Sequence, residues 1–193
     1  IFEVELLEIQ EIFRRGASHI CWTYRTSLRV FDPRTVAVIG ASDRPGSVGA
    51  TVMHNLTTRG FKGTILPVNP GRAAVMGIDV CADAGDLPVD VDLAVVAVSI
   101  QQVPDILATC AAKNVGGAVV LSAGDAWLTP HQNPLYRQIK AVAETSHMRI
   151  VGPDSVGIIH TGSGLNAGFM HQTPLSGRMA FLSQSGAVCT SVL

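Results

Sequence analysis

The residues best suited to chemistry lie in one stretch, Val36-Ala37-Val38-Ile39-Gly40-Ala41-Ser42-Asp43-Arg44-Pro45-Gly46-Ser47-Val48-Gly49. A short apolar run gives way there to glycines, hydroxyls and a cation, a set that holds an anion rather than one that makes or breaks bonds. Gly40, Gly46 and Gly49 permit a tight turn and a close backbone approach. A helix opening near Ser47 would offer unpaired N–H groups and the positive end of its dipole to a phosphate. Ser42, Arg44, Gly46, Ser47, Val48 and Gly49 are therefore the candidate cradle. The spacing Gly40-x5-Gly46-x2-Gly49 is longer than the dinucleotide fingerprint G-x-G-x-x-G. Glycine-rich turns between strand and helix also form with no ligand.

Three further loops carry small or polar residues at corresponding places. Asn69-Pro70-Gly71-Arg72 follows the second apolar run, where a dinucleotide-binding dehydrogenase commonly has Asp or Glu for the ribose hydroxyl. A neutral residue, a turn and a cation suit a ligand with an extra phosphate, with Arg72 as its partner. A solvated turn arginine has the same appearance. Val98 and Ser99, with Ser122, Ala123 and Gly124, would let a long thin ligand lie along backbone groups, or would simply make tight turns. Ser183, Gln184, Ser185 and Gly186 set two hydroxyls at a helix start, suited to an oxyanion or phosphoryl group, or to plain helix capping. Ser185 is not a nucleophile elbow of the G-x-S-x-G type, because position 183 is Ser. The six histidines, His19, His54, His131, His147, His160 and His171, lack metal-ligand spacing, and none is given a catalytic role. Cys21, Cys81, Cys110 and Cys189 make no C-x-x-C pair and outline neither a zinc site nor a disulfide framework.

These loops need strands and helices to hold them. Apolar runs at 35–39, 64–68, 93–98, 118–121 and 149–151 read as strands, and residues 47–59, 101–113 and 132–146 as helices. The alternation predicts a doubly wound parallel sheet with ligands at the carboxyl ends of its strands. A glycine-rich passage from Gly157 to Gly168 then leads to a further strand at 178–182 and a last turn into a helix. The division expected is a linker or appended helix over 1–30, a Rossmann-like domain over 31–160, and the start of a second domain over 161–193. The absence of Met at position 1, together with a final helix that only begins at Ala187–Leu193, reads as a fragment. A net charge of −1, from 14 Lys and Arg against 15 Asp and Glu, supplies no basic footprint for nucleic acid or an anionic membrane. Apolar runs such as Leu93–Val98 are far too short to cross a bilayer, and the expected location is the cytoplasm.

Taken in order, Val36–Ser42, Arg44–Gly49, Pro67–Pro70, Asp92–Val95, Gly152-Pro153-Asp154-Ser155-Val156-Gly157 and Ser183–Ala187 resemble the NDP-forming acyl-CoA synthetases, relatives of the succinyl-CoA synthetase alpha subunit, over about residues 28–193. The resemblance implies coenzyme A, its phosphates at Ser42–Gly49 near Asn69, Pro70 and Arg72, and its pantetheine passing Val98, Ser99 and Ser122–Gly124. It implies that Ser183–Gly186 opens a flavodoxin-like ligase domain whose turn helps hold a phosphorylated histidine outside these residues. ATP or ADP with Mg would be bound by an ATP-grasp domain or subunit, within an oligomeric full-length protein. Such a ligase makes acyl-CoA through an acyl phosphate and a phosphohistidine, this portion binding without catalysing. Asp154 stands where the family pattern usually has Asn. Gly164–Phe169 and Gly177–Leu182 further resemble members fused to a GNAT lysine acetyltransferase, in which this part senses acyl-CoA. An NAD(H)-responsive regulatory Rossmann module is the third reading.

Overall fold

The structure is a computed structural model that describes residues 29–88, 90–124, 133–146, 148–183 and 185–193. The expectations for residues 1–28 and for His131, His147 and Gln184 lie outside the described residues. In chain order the elements are β1 (Thr35–Ile39), α1 (Val48–Thr58), β2 (Thr64–Val68), β3 (Ala74–Val75), β4 (Ile78–Asp79), β5 (Leu93–Val96), α2 (Val103–Ala112), β6 (Gly117–Val120), α3 (Pro134–Ser146), β7 (Arg149–Val151), β8 (Gly157–His160), β9 (Leu165–Gly168) and α4 (Gly186–Val192).

Five strands pair in parallel in the order β2-β1-β5-β6-β7, with Val36 opposite Leu93 and Ala94 opposite Ala118. Alternation along the strands divides the interior into two cores, as a sheet covered on both faces requires. Ala37, Ile39, Ala94, Val96, Ala118 and Val120 pack with Val103 and Leu107 of α2 and Ile139 of α3. Val36, Val38, Leu93, Val95 and Val119 pack instead with Val52, Met53 and Leu56 of α1 and with Ile158, Leu165 and Ala167 of β8 and β9. The sheet is doubly wound as expected, and a hairpin shares one covering layer with α1. Pro67, which has no N–H to give to a ladder, sits on the edge strand β2.

The strand ends differ from the expectations in ways local chemistry explains. β5 stops at Val96 rather than at 98, because Ser99 turns the chain into a 3-10 turn, Ile100–Gln102, before α2. That turn and Pro104 in the first turn of α2 move the helix start from 101 to 103. The glycine-rich passage expected at 157–168 is the antiparallel pair β8–β9, joined across residues 161–164. It is latched to α1 by the buried Asn55, whose Nδ2 donates to Gly168 O and Met170 O at 2.9 Å each. The strand expected at 178–182 does not form. A strand persists only where a neighbour completes its ladder, none of the described strands lies beside this segment, and Met179 and Leu182 are 97 % and 85 % exposed.

At the amino ends of the strands Asp92 gathers three donors. Its Oδ1 accepts from Arg29 Nε at 3.0 Å, and its Oδ2 from the backbone N–H groups of Arg34 and Thr35 at 2.9 and 3.2 Å. Where the opposite ends meet the helices, glycine is demanded by space. A Cβ on Gly49 would lie 2.0 Å from Gly40 O. Gly49→Ala is therefore expected to cost about 3 kcal/mol through forced separation of α1 from β1. Gly77→Ala, where φ is +79° but no atom lies within 4 Å, is expected to cost about 1 kcal/mol. Urea denaturation of the two variants checks the ranking, and equal losses would show that the Gly40–Gly49 contact relaxes freely.

Candidate functional site

β1 is the point at which the strand order reverses. The chain leaves it for β2 on one side and returns as β5 on the other, so the loops after β1 and β5 diverge and open a crevice at the carboxyl edge. Gly40 forms the floor. Its φ is +88°, and a Cβ there would stand 2.5 Å from Ala97 O and 2.9 Å from Val98 Cγ1. The loop then braces itself. Ser42 Oγ accepts from the Arg44 N–H at 3.0 Å, and Ser47 Oγ donates to Arg44 O at 2.9 Å. Ser47 also caps α1 by accepting from the Ala50 N–H at 3.2 Å. By the geometry of any helix start, the N–H groups of Val48 and Gly49 then have no intrahelical partner. Gly46, at φ +79° with open space around it, supplies the turn. Residues 42–49 thus form one self-braced loop on a helix N-terminus.

Asn69 joins the second loop to the first. Its Nδ2 donates to Ala41 O at 2.8 Å while its Oδ1 accepts from the Gly71 N–H at 2.9 Å. Pro70 lies within that turn. The Asn69 N–H is taken by Cys81 O at 3.0 Å, which extends the edge of β2. Arg72 arrives over the glycine loop, its Nη1 3.0 Å from Asp43 Oδ1 with both side chains nearly half exposed. An exposed pair of this kind contributes at most about 1 kcal/mol. Sequence reading brought Arg72 to the site but missed its partner, since a single Asp in a loop carries no signal until the fold sets it opposite a cation.

The third and fourth loops meet through Ser122. Its Oγ donates to Val98 O at 2.5 Å, and its carbonyl accepts from the Asp154 N–H at 2.9 Å. Ser99 bonds to Gln101, beside it in the 3-10 turn. Ala123 follows Ser122, and Gly124 lies against Tyr136, whose Cε2 would stand 3.0 Å from a Cβ added there. The Tyr136 phenol is pushed up from its ordinary value, by burial first and by the nearby Asp154 carboxylate second. Asp154 has φ +60°, a left-handed conformation that Asn and Asp adopt more readily than other side chains, so the exchange of one for the other leaves the turn intact. Tyr136 is a residue at this edge that sequence reading passed over as part of a helix.

The last candidates lie beside the turn that follows β7, where a Cβ on Gly186 would stand 2.7 Å from Val156 Cγ1. Ser183 accepts from the Ser185 N–H at 3.1 Å, and Ser185 caps the seven-residue α4 by accepting from the Val188 N–H at 3.4 Å. Gly186 is the first residue of that helix. Among the described residues no three His, Cys, Asp or Glu side chains are placed to hold a metal ion. His160 lies 3.7 Å from Asp32 and 2.8 Å from Ser163 Oγ, at the amino edge of the sheet. A cavity of about 570 Å³ lies at that edge too, between Arg34, Lys62, Thr64 and Ser163. It gathers none of the residues expected to bind phosphate, which lie instead about the carboxyl-edge crevice.

A glycine loop on a helix N-terminus, set where the order of a parallel sheet reverses, defines a nucleotide-binding domain of the Rossmann type. Residues 34–161 match the family model described as CoA binding domain, and the chain belongs to that family. It is 42 % identical over 165 residues to the ADP-forming acetate-CoA ligase I of Archaeoglobus fulgidus, covering 86 % of this chain and 24 % of that one. It is 35 % identical over 170 residues to the ADP-forming 4-hydroxybutyrate-CoA ligase of Nitrosopumilus maritimus, covering 87 % and 24 %. The dinucleotide-forming acetyl-coenzyme A synthetase 1 of Ca. Korarchaeum cryptofilum, solved in complex with phosphate and ADP, superimposes with a TM-score of 0.79 at 34 % identity, covering 86 % of this chain and 35 % of that one. The chain thus spans about a quarter of the length of these curated relatives.

Cys110, on α2, is inert by the same structural logic. Burial first and Asp83 second push its thiol up to about 12. A thiol needs its thiolate to react, and here the thiolate is disfavoured. In native protein at pH 8, iodoacetamide is expected to label the half-buried Cys81 and Cys189 and to spare Cys110 until urea unfolds the chain. Because its folded value is raised, Cys110 contributes stability that is complete below the unfolded thiol range and is lost as pH rises towards 12. Peptide mass mapping reads the labelling, and early modification of Cys110 would contradict a closed packing of α2.

Proposed function

We propose that this chain is the coenzyme A-binding portion of an ADP-forming acyl-CoA ligase. The observation that carries this reading is the convergence of Ser42–Gly49, Asn69 and Arg72 over the N-terminus of α1 at the strand-order reversal. The diphosphate would lie on the N–H groups of Val48 and Gly49, with Arg44 close by on the loop. Arg72 would take the 3′-phosphate. From there the pantetheine would run along Val98 and Ser99 to Ser122, Ala123 and Gly124, a path supported by the Ser122–Val98 bond that draws those loops together. Coenzyme A is the group these residues fit. It supplies the thiol that becomes acylated, and this chain's residues bind and orient it.

The names of the relatives favour a ligase over an acetyltransferase parent. In that reading this chain binds without turning over. ATP or ADP, Mg and the phosphoryl relay belong to an ATP-grasp partner and to the completed second domain, which Ser183–Gly186 open; β9, Leu165–Gly168, is counted with the first domain because it packs in the core beneath α1. An oligomeric cytoplasmic enzyme is the setting. The turn Asn69–Arg72 offers no carboxylate to a nicotinamide ribose, which weighs against the NAD(H) reading.

Calorimetric titration with coenzyme A, 3′-dephospho-CoA, NAD and NADP at matched salt tests the proposal. Coenzyme A is expected to bind best. Arg72→Ala is expected to weaken it about tenfold, the worth of one charge-assisted hydrogen bond, and to leave 3′-dephospho-CoA nearly unchanged. Preference for NAD or NADP would overturn the assignment, and ATP-dependent acyl-CoA synthesis by this chain alone would contradict its purely binding role.

A further inference from the structure

The glycine loop carries a carboxylate among the residues assigned to phosphate. Asp43 lies between Ser42 and Arg44. A fixed negative charge beside an anion site opposes binding unless a cation answers it. Arg72 is the ionic partner the structure gives Asp43, through one corner of the guanidinium, Nη1 to Oδ1. The two side chains do not meet by chance. Asn69 latches both flanking backbones, at Ala41 O two residues before Asp43 and at the Gly71 N–H one residue before Arg72. Because both side chains are nearly half exposed, the pair can open without disturbing either core.

We propose that Asp43 is an internal competitor for Arg72. It occupies the guanidinium when no phosphate is present, and a ligand phosphate must displace it. Asp43 thereby sets how tightly the site holds a phosphorylated ligand and how strongly it distinguishes one from its dephosphorylated counterpart. A carboxylate carries one charge and the competing 3′-phosphate up to two, so the exchange favours the phosphate while lowering its net affinity. This rests on the reading of Arg72 as the phosphate partner.

The test is the dissociation constants of coenzyme A and 3′-dephospho-CoA for the chain and for Asp43→Asn, Arg72→Ala and the double variant, at one salt concentration. Asp43→Asn is expected to tighten coenzyme A about fivefold, the scale of releasing one exposed ion pair, and 3′-dephospho-CoA by less than twofold, so the ratio between the two ligands widens. In the Arg72→Ala background the ratio is expected to stay put when Asp43 is also changed. If Arg72→Ala binds coenzyme A as tightly as the unaltered chain, the reading of Arg72 fails and the competitor falls with it. If Arg72→Ala weakens coenzyme A but Asp43→Asn leaves the ratio unchanged or narrows it, the phosphate reading stands and the competitor alone is refuted.

Discussion

The contact between Gly40 and Gly49 governs the rest of the molecule. With 2.0 Å between the Gly40 carbonyl oxygen and the place a Cβ on Gly49 would take, no side chain can stand there. The helix can therefore start directly on the end of the strand, with its first N–H groups facing the loop that β1 feeds. From that approach follow the position of Ser47 as cap, the reach of Asn69 across to Ala41, and the arrival of Arg72 above Asp43. Gly40 completes the arrangement on its other side, where Ala97 O and Val98 hold the neighbouring loop as near as backbone allows. The crevice is thus the direct result of two missing side chains.

The sheet behind it shows how one pattern serves two layers. Strands buried on both faces need apolar residues at every position, and the two cores divide them by parity, Ala37 and Ile39 to one side and Val36 and Val38 to the other. α2 and α3 cover the first face. On the second, α1 shares the cover with β8 and β9, and Asn55 binds that hairpin to the middle of the helix. The helix whose N-terminus faces the glycine loop is therefore the one fastened to the segment that carries the chain onward.

Much of this was legible in the residues because the strands announce themselves. Thr35–Ile39, Thr64–Val68 and Arg149–Val151 are legible at their observed bounds, since apolar runs ended by glycine or asparagine have few alternatives. The hairpin β8–β9 escaped because its glycines look like a connector, and only packing against Leu56 and Met53 makes strands of it. Residues 178–182 erred in the other direction, apolar enough for a strand but without a described neighbour to pair with. In the site, Gly40, Ser47, Gly49 and Asn69 were readable because their roles are local turns and caps. Asp43 and Tyr136 were not, as the one depends on an arginine twenty-nine positions away and the other on a loop and a turn from separate strands.

Asp92 has a consequence that reaches beyond its own hydrogen bonds. By collecting Arg29 and the N–H groups of Arg34 and Thr35, it fastens the start of β1 at the edge remote from the crevice, and the two cores hold the strands between. Anchorage and the glycine loop are thereby placed at opposite ends of the same strands. Exposed loop positions such as Asp43, Arg44 and Arg72 can exchange residues with little loss of stability. A lineage built on this scaffold is free to vary one rim by drift while the other keeps the fold heritable.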